Sequence, residues 1–344
     1  MGKINFKIAI PDNELGKFPN GTPYSEKAKA LLYRQINDWD LLRNNYENLT
    51  RVETREFEFD GFKIKVQHNP SRIISTSAKV DGASIKERPC FLCLENLPEE
   101  QRAIMFNKIY LLLCNPYQIF NEHFTVPKIK HKSQSFLVNL DDFLLLAKEM
   151  GKSYVVFYNG PECGASAPDH IHFQSGTLNQ MPIDDEYDVI KTTLGKTILE
   201  DEKLSIYAVE NYLRKFISIE SASKTEVQRA LKVLVTALRK ITPAVHQEPL
   251  MNILAYYINN RWRIIIFPRH KHRPSYYYSK DNNNMLVSPA AVDLGGLLIT
   301  PRRKDFEKLN KDLVADIYRQ VTSTTEYFEY LKKKLSESFG VNMN

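Results

Sequence analysis

The sequence predicts an α+β protein built on antiparallel sheets, and three observations carry that prediction. Strand-like runs come as adjacent pairs, 55–59 with 62–67 and 250–258 with 261–267. Helical periodicity sits in a few separate segments and does not alternate with single strands, which argues against a parallel βαβ sheet. Hydrophobic residues make up 43% and charged residues 26% of the 344-residue chain, a globular composition with enough length for one large domain or two ordinary ones.

In chain order, Ser25 is placed to cap a helix over about 26–48, with Ala28, Leu31, Leu32, Trp39, Leu42, Tyr46 and Leu49 at helical spacing. Arg55 to Phe59 and Phe62 to Gln67 read as strands joined by Asp60-Gly61, a hairpin signal. The chain then leaves the sheet through Asn69-Pro70. Further strands are expected at 108–114 and 123–127, and a helix at 140–150 that stops at Gly151. Tyr154 to Tyr158 form a strand, 159–169 a loop of small residues, and 170–174 another strand. Later, Ser223 and Glu226 make a capping box for a helix over 224–241, whose Val227, Leu231, Leu234, Leu238 and Ile241 share one face. A long charged helix is expected from Arg303 to Leu335. Both halves offer paired strands, basic loops and a helix, which suggests a diverged duplication. The expected division is an N-terminal helical extension at 1–50 and two halves at 51–199 and 200–344.

Composition narrows the function. The formal net charge is +6, which suits a phosphorylated small molecule and falls short of a strongly basic nucleic-acid binder. No apolar run is long enough to cross a bilayer, and Met1 to Phe6 lack the apolar core of a signal peptide. A cytoplasmic protein with no membrane partner is the expectation. Four cysteines, Cys90, Cys93, Cys114 and Cys163, make no disulfide framework; the spacing of Cys90-Phe91-Leu92-Cys93 suits two thiolates on one metal, a redox pair, or two buried cysteines packing as small apolar residues.

The segment His170-Ile171-His172-Phe173-Gln174 carries the sharpest chemistry. In a strand, residues two apart share a face, so the two imidazoles and the amide point one way. They follow a loop containing Gly164 and Ser166, whose backbone N–H groups can meet a phosphate. One histidine can attack phosphorus while the amide holds the non-bridging oxygens.

This strand, with His123-Phe124-Thr125-Val126-Pro127-Lys128-Ile129-Lys130-His131 upstream, resembles the histidine triad superfamily. Within it, the similarity is to the branch with glutamine in the last triad position. That branch includes galactose-1-phosphate uridylyltransferase, diadenosine tetraphosphate phosphorylase and GDP-L-galactose phosphorylase, and the resemblance covers most of residues 55–310. It implies a histidine-triad-like fold of two pseudo-duplicated halves. By the same resemblance His172 becomes nucleotidylated, Gln174 positions the phosphate, and His123 is the upstream triad histidine. Cys90, Cys93, His131 and His170 then form a structural zinc site like that of the uridylyltransferases. The loop Ser166-Ala167-Pro168-Asp169-His170 is one residue longer than in the uridylyltransferases and diadenosine phosphorylases, and leans toward the GDP-L-galactose phosphorylases. Those enzymes carry a Q-x-N-x-x-R pattern similar to Gln67, Asn69 and Arg72, which makes these three candidates for contacting base or phosphate.

In the second half, Pro268-Arg269-His270-Lys271-His272-Arg273 ends a buried-looking strand. Arginine suits bidentate phosphate contact, so Arg269 and Arg273 are candidates, ahead of Lys271 and His272. Residues 288–299 resemble a late family segment that closes the site with small residues before an apolar strand. Tyr276, Tyr277 and Tyr278 suit either stacking on a base or packing. The expected activity is nucleotidyl transfer or phosphorolysis through a covalent nucleotidyl-histidine. The substrate would be a nucleotide-sugar or dinucleoside polyphosphate, and the acceptor phosphate or a sugar 1-phosphate. Two rivals are a nucleotide hydrolase, against which Gln174 argues, and a catalytically silent nucleotide- or RNA-binding module. Many members of the branch are homodimers, and no segment here marks an interface.

Overall fold

The computed structural model describes residues 9–11, 18–19, 21–243 and 245–341; Met1 to Phe6, read for a signal, lie outside them. Two helices, α1 (Tyr24–Asp38) and α2 (Asp40–Leu49), replace the one expected over 26–48. Trp39 separates them, with an extended backbone (φ −133°, ψ 104°) that turns its indole into the core. Ser25 lies inside α1, and the cap position falls to Pro23, which makes no side-chain bond.

Strands β1 (Glu53–Phe59) and β2 (Phe62–His68) form the expected hairpin, and Gly61 takes the positive φ of +82° that its turn requires. Short helices α3 (Ile73–Thr76) and α4 (Gly82–Glu87) bury no side chains. Next come β3 (Ala103–Phe106) and β4 (Tyr110–Cys114), a hairpin not foreseen because its turn residues are Asn107 and Lys108, both left-handed. Strand β5 (His123–Pro127) and helix α5 (Leu140–Met150) fall as expected, the helix stopping at Gly151 with φ +61°. After β6 (Tyr154–Asn159), strand β7 is His172–Thr177 rather than 170–174.

An unforeseen helix α6 (Pro182–Leu194) leads into β8 (Gly195–Glu200), β9 (Ser205–Val209) and β10 (Phe216–Ser221). Helix α7 (Lys224–Ile241) has the expected bounds, and the Ser223 hydroxyl accepts from the Glu226 N–H. Then follow β11 (Met251–Ile258), β12 (Arg261–Pro268), α8 (Ser275–Tyr278), α9 (Ala291–Leu294) and β13 (Leu297–Thr300). The single helix expected from Arg303 to Leu335 is three: α10 (Arg303–Lys308), α11 (Lys311–Val321) and α12 (Thr325–Phe339). Asn310 and Thr324 start new helices by accepting backbone N–H bonds on their side chains, so the charged pattern conceals two caps.

The main sheet has ten strands in the order β3-β4-β5-β7-β6-β11-β12-β10-β9-β8. Outward from the central β6–β11 seam, the two sides mirror each other: β6-β7-β5-β4-β3 against β11-β12-β10-β9-β8. Each side runs strand, strand, strand, helix, strand, strand along the chain, with α5 and α7 as the matching helices. This is the duplicated α+β architecture, with every pairing in the main sheet antiparallel. Strand β8 spans position 199/200 and forms the outer edge of the second side.

The faces of the sheet separate by period two. Tyr154, Val156 and Tyr158, with Ile253 and Ile264, face a layer of α1, α5, α7 and α12. Val155, Phe157, Leu254, Ile265 and Phe267 face the other way, toward α6 and a small sheet in the order β1-β2-β13. Strand β13 joins that small sheet parallel to β2 and so brings the 288–299 segment against the first half. Among the described residues no helix is long and apolar enough to cross a membrane.

Candidate active site and metal cluster

On the second face, beside the seam, lies a cavity of about 730 Å³. Its walls include His172 and Gln174 from β7, Arg72, Gly164, Ser166, Arg273 and Asp293. His172 and Gln174 share a face, as two residues apart on a strand must. His170 does not join them: it precedes β7, and its ring turns to Cys90 and Cys93 instead.

Each polar wall group is fixed from behind. The Nδ1 of His172 lies 2.8 Å from the His170 carbonyl oxygen, which can only accept, so Nδ1 carries the proton and Nε2 keeps its lone pair. The His172 N–H donates to Gln134 Oε1 at 3.1 Å, and Gln134 Nε2 donates to the Asn159 carbonyl at 3.1 Å. For His123, the Ile119 N–H donates to Nδ1 at 3.2 Å, so Nε2 bears the proton and donates to Gln174 Oε1 at 3.0 Å. That bond orients the Gln174 amide and leaves its NH₂ end for the cavity. Burial pushes the His172 imidazole down to about 4. Burial, assisted by the Arg72 charge, pushes His123 down to about 3. Both rings are therefore neutral near pH 7, the state a nitrogen nucleophile requires.

The other expected residues divide by placement. Arg72 donates to the Tyr117 carbonyl at 2.7 Å and stays a cation although burial lowers it to about 10. Arg273 donates to Ser288 Oγ at 2.9 Å and lies over the Tyr277 ring at 4.0 Å. Gly164 has φ +96°, and a Cβ there would come 2.5 Å from the Ala290 Cβ, so the loop before β7 touches the second half at bare backbone.

Gln67, Asn69 and Arg269 do not line the cavity. Gln67 Oε1 accepts from Asn69 Nδ2 at 3.1 Å, and the same Nδ2 donates to the Gln118 carbonyl. This knot fixes where the chain leaves β2. Arg269 directs its donors to the carbonyls of Val321, Pro289, Lys271 and His272 and to Asn252 Oδ1, leaving no N–H for a phosphate. It braces the second-half loops. The tyrosines Tyr276 and Tyr277 pack and hydrogen-bond within the chain, to Asp316 and the Thr76 carbonyl, rather than lining the cavity.

Three wall or support residues were not singled out as candidates, although Asn159 opens the 159–169 loop and Asp293 lies in the 288–299 segment. Gln134 is a lone glutamine in a loop. Asp293, pushed up to about 6 by burial, accepts the Ile299 and Ala290 N–H groups. Asn159 accepts from Asn252 Nδ2 and the Ala291 N–H, joining the two halves across the seam.

Beside β7, Cys90, Cys93, His131 and His170 bring one ligand atom each to within 4.8 Å of one another. Neighbouring donors lie 3.1–3.7 Å apart (Cys93 Sγ to His131 Nδ1, Cys90 Sγ to His170 Nδ1, Cys93 Sγ to His170 Nδ1). A tetrahedral ion with bonds of 2.0–2.3 Å spaces its donors by roughly 3.3–3.8 Å. The His170 Nε2 donates to the Lys128 carbonyl at 2.6 Å, which leaves Nδ1 free for an ion. Asp169 lies 3.7 Å from His131 Nε2. The donor set and its outer partners fit a metal ion.

Comparison with known proteins agrees with the fold. Residues 31–177 match a domain of unknown function (DUF4922), and residues 189–341 match the GDPGP1-like C-terminal domain. No curated protein sequence matches the chain. The structure of yeast Ap4A phosphorylase Apa2 superposes with a TM-score of 0.53 at 16% identity, over 85% of this chain and 97% of that one. Its complex with Ap4A gives a TM-score of 0.50 at 16% identity, over 83% and 97%. The chain thus shares the fold of yeast Ap4A phosphorylase Apa2, and its second half is similar to the GDPGP1-like C-terminal domain.

Proposed function

We propose that the protein is a nucleotide phosphorylase that works through a nucleotidyl group carried on His172. The observation that carries this reading is the pair of fixed tautomers. The His170 carbonyl holds the proton on His172 Nδ1, so Nε2 faces the cavity as a nucleophile; His123 holds the Gln174 carbonyl, so the amide NH₂ faces the same space as a phosphate donor. The substrate is a nucleotide-sugar or a dinucleoside polyphosphate. Similarity to the GDPGP1-like domain and to a phosphorylase that binds Ap4A supports that class. Inorganic phosphate is the acceptor. One site per chain is built from both halves, 51–199 and 200–344, and the N-terminal segment 1–50 adds Trp39 and Leu41 to its wall.

Cys90, Cys93, His131 and His170 would hold zinc. With four protein ligands its coordination shell would be closed, so these residues would use the ion to cross-link the Cys90 loop to the residues entering β7, with no position left for substrate. The role of these side chains is to hold His170, whose carbonyl orients the nucleophile.

The test is trapping. The protein is incubated with radiolabelled nucleotide-sugars and dinucleoside polyphosphates without phosphate, then denatured. Label on the wild type, its release as nucleotide on adding phosphate, and its loss in His172→Ala are expected. Label that persists in His172→Ala would reject the assignment, and products unaffected by phosphate would favour a hydrolase.

A further inference from the structure

We propose that Arg88 holds the phosphate that departs from, and the phosphate that attacks, the nucleotidyl group on His172. This deepens the phosphorylase reading and rests on it. Arg88 lines the cavity just before the Cys90 loop. One edge of its guanidinium is engaged: Nη2 donates to Asp169 Oδ1 at 2.8 Å and reaches the Ser166 carbonyl at 3.4 Å. Its plane lies over the Phe91 ring at 5.4 Å. The other edge is unpartnered: Nη1 is buried and meets no acceptor among the described residues. A guanidinium N–H pair buried without an acceptor is costly, and an anion in the cavity is the group that would relieve it.

Position gives the anion its identity. Ser166 and Asp169 belong to the loop that delivers His172, so the engaged edge of Arg88 ties this guanidinium to the strand of the proposed nucleophile. Arg72, in contrast, acts at His123, the partner of Gln174, and gives its Nη1 to a carbonyl. Three guanidinium groups, those of Arg72, Arg88 and Arg273, thus line the cavity from separate segments, an arrangement that suits a substrate with more than one phosphate.

In an in-line displacement the leaving oxygen departs opposite the attacking atom. In the first step His172 Nε2 bonds to the α-phosphorus. The bond from that phosphorus to the bridging oxygen breaks, and its electron pair leaves with the substituted phosphate. In the second step an oxygen of inorganic phosphate bonds to the same phosphorus, and the nitrogen–phosphorus pair returns to Nε2. Departing and entering phosphates therefore occupy one place, and one cation serves both. The substrate class is a nucleoside diphosphate substituted on its β-phosphate or a longer polyphosphate, not a nucleoside monophosphate ester.

The probe is inorganic phosphate, titrated calorimetrically into full-length, metal-replete wild type, Arg88→Met and Arg88→Lys without nucleotide. Discharge of trapped protein is followed against phosphate concentration in parallel. Saturable binding to wild type is expected, weaker by at least ~10-fold in Arg88→Met and partly restored in Arg88→Lys. The half-saturating phosphate concentration for discharge should rise in step. Metal content and thermal unfolding of each variant separate a lost anion site from a lost fold. Equal phosphate affinity in wild type and Arg88→Met, or no binding to wild type, overturns the proposal. Failure of every nucleotide to label the wild type counts against the phosphorylase reading alone, since the phosphate titration still decides on Arg88.

Discussion

The two sides of the ten-stranded sheet share their strand order and differ in what covers one face. On the second side, Phe216, Ile265 and Phe267 meet Ile183, Tyr187 and Ile190 of α6, and the face is closed. Its rim is sealed by Arg263, which reaches Glu220 and Asp188 at 2.9 Å each and lies over the Tyr187 ring at 3.9 Å. On the first side, the same face presents His172 and Gln174 to a cavity. The segment covering it, 70–102, holds only short helices, and the cysteine–histidine cluster pins it. A plug of aliphatic and aromatic side chains makes few demands on hydrogen bonding. A hollow with polar walls needs its wall groups tied from outside: Gln134 and the His170 carbonyl do this for His172, and His123, itself fixed by the Ile119 N–H, does it for Gln174.

The contrast can be broken from either side. Making the hollow apolar has the largest expected effect: Gln174→Leu should slow nucleotidyl transfer by ~10²–10³-fold, read as the rate of label incorporation, while thermal stability changes little. Hollowing the plug should do the reverse. Ile265→Ala is expected to cost ~2–5 kcal/mol in denaturant unfolding without changing label incorporation per folded molecule. Cutting the pin, as Cys90→Ser, should lower bound metal well below one ion per chain. Faster hydrogen exchange should then be confined to 70–102 and the entry to β7, with the second side unmoved.

The smallest effect belongs to the sealed rim. Burial pushes the Glu220 carboxyl up, but Arg263 and Lys191 outweigh it and hold the group below the ordinary carboxylate range. A carboxylate held low stabilises the fold above its unfolded value, and that contribution fades as pH falls through the folded value. Glu220→Gln should therefore unfold more easily at pH 7, by ~1 kcal/mol, with the gap to wild type closing below about pH 4.

Local signals were legible in the sequence. Asp60-Gly61 marks its hairpin, Gly151 stops its helix, and the apolar face of 224–241 sets α7. The H-x-H-x-Q strand and the C-x-x-C pair point to the residues that line the cavity and form the cluster. What the sequence hid lies at longer range or in ambiguous letters. His170 and His172 alternate as if on one strand, yet His170 precedes it because its ring is drawn to Cys90. Arg269 sits in a basic run that looks like a phosphate site, but carbonyls distant in sequence occupy its donors. Gln134 and Arg88 carry no spacing signature, since their meaning comes from chain segments that meet them only after folding. Nor does local composition separate α10, α11 and α12, whose boundaries rest on the caps at Asn310 and Thr324.

The contact of Gly164 with Ala290 reaches beyond structure into heredity. The first half tolerates no side chain at 164 because the second half presents Ala290 there. Any larger residue at either position alters the fit of both. Genes of this kind that recombine near residue 200 would join halves shaped against different counterparts. Their offspring should succeed only where this pair is matched, so the two halves, free to diverge in what covers them, are bound to be inherited together.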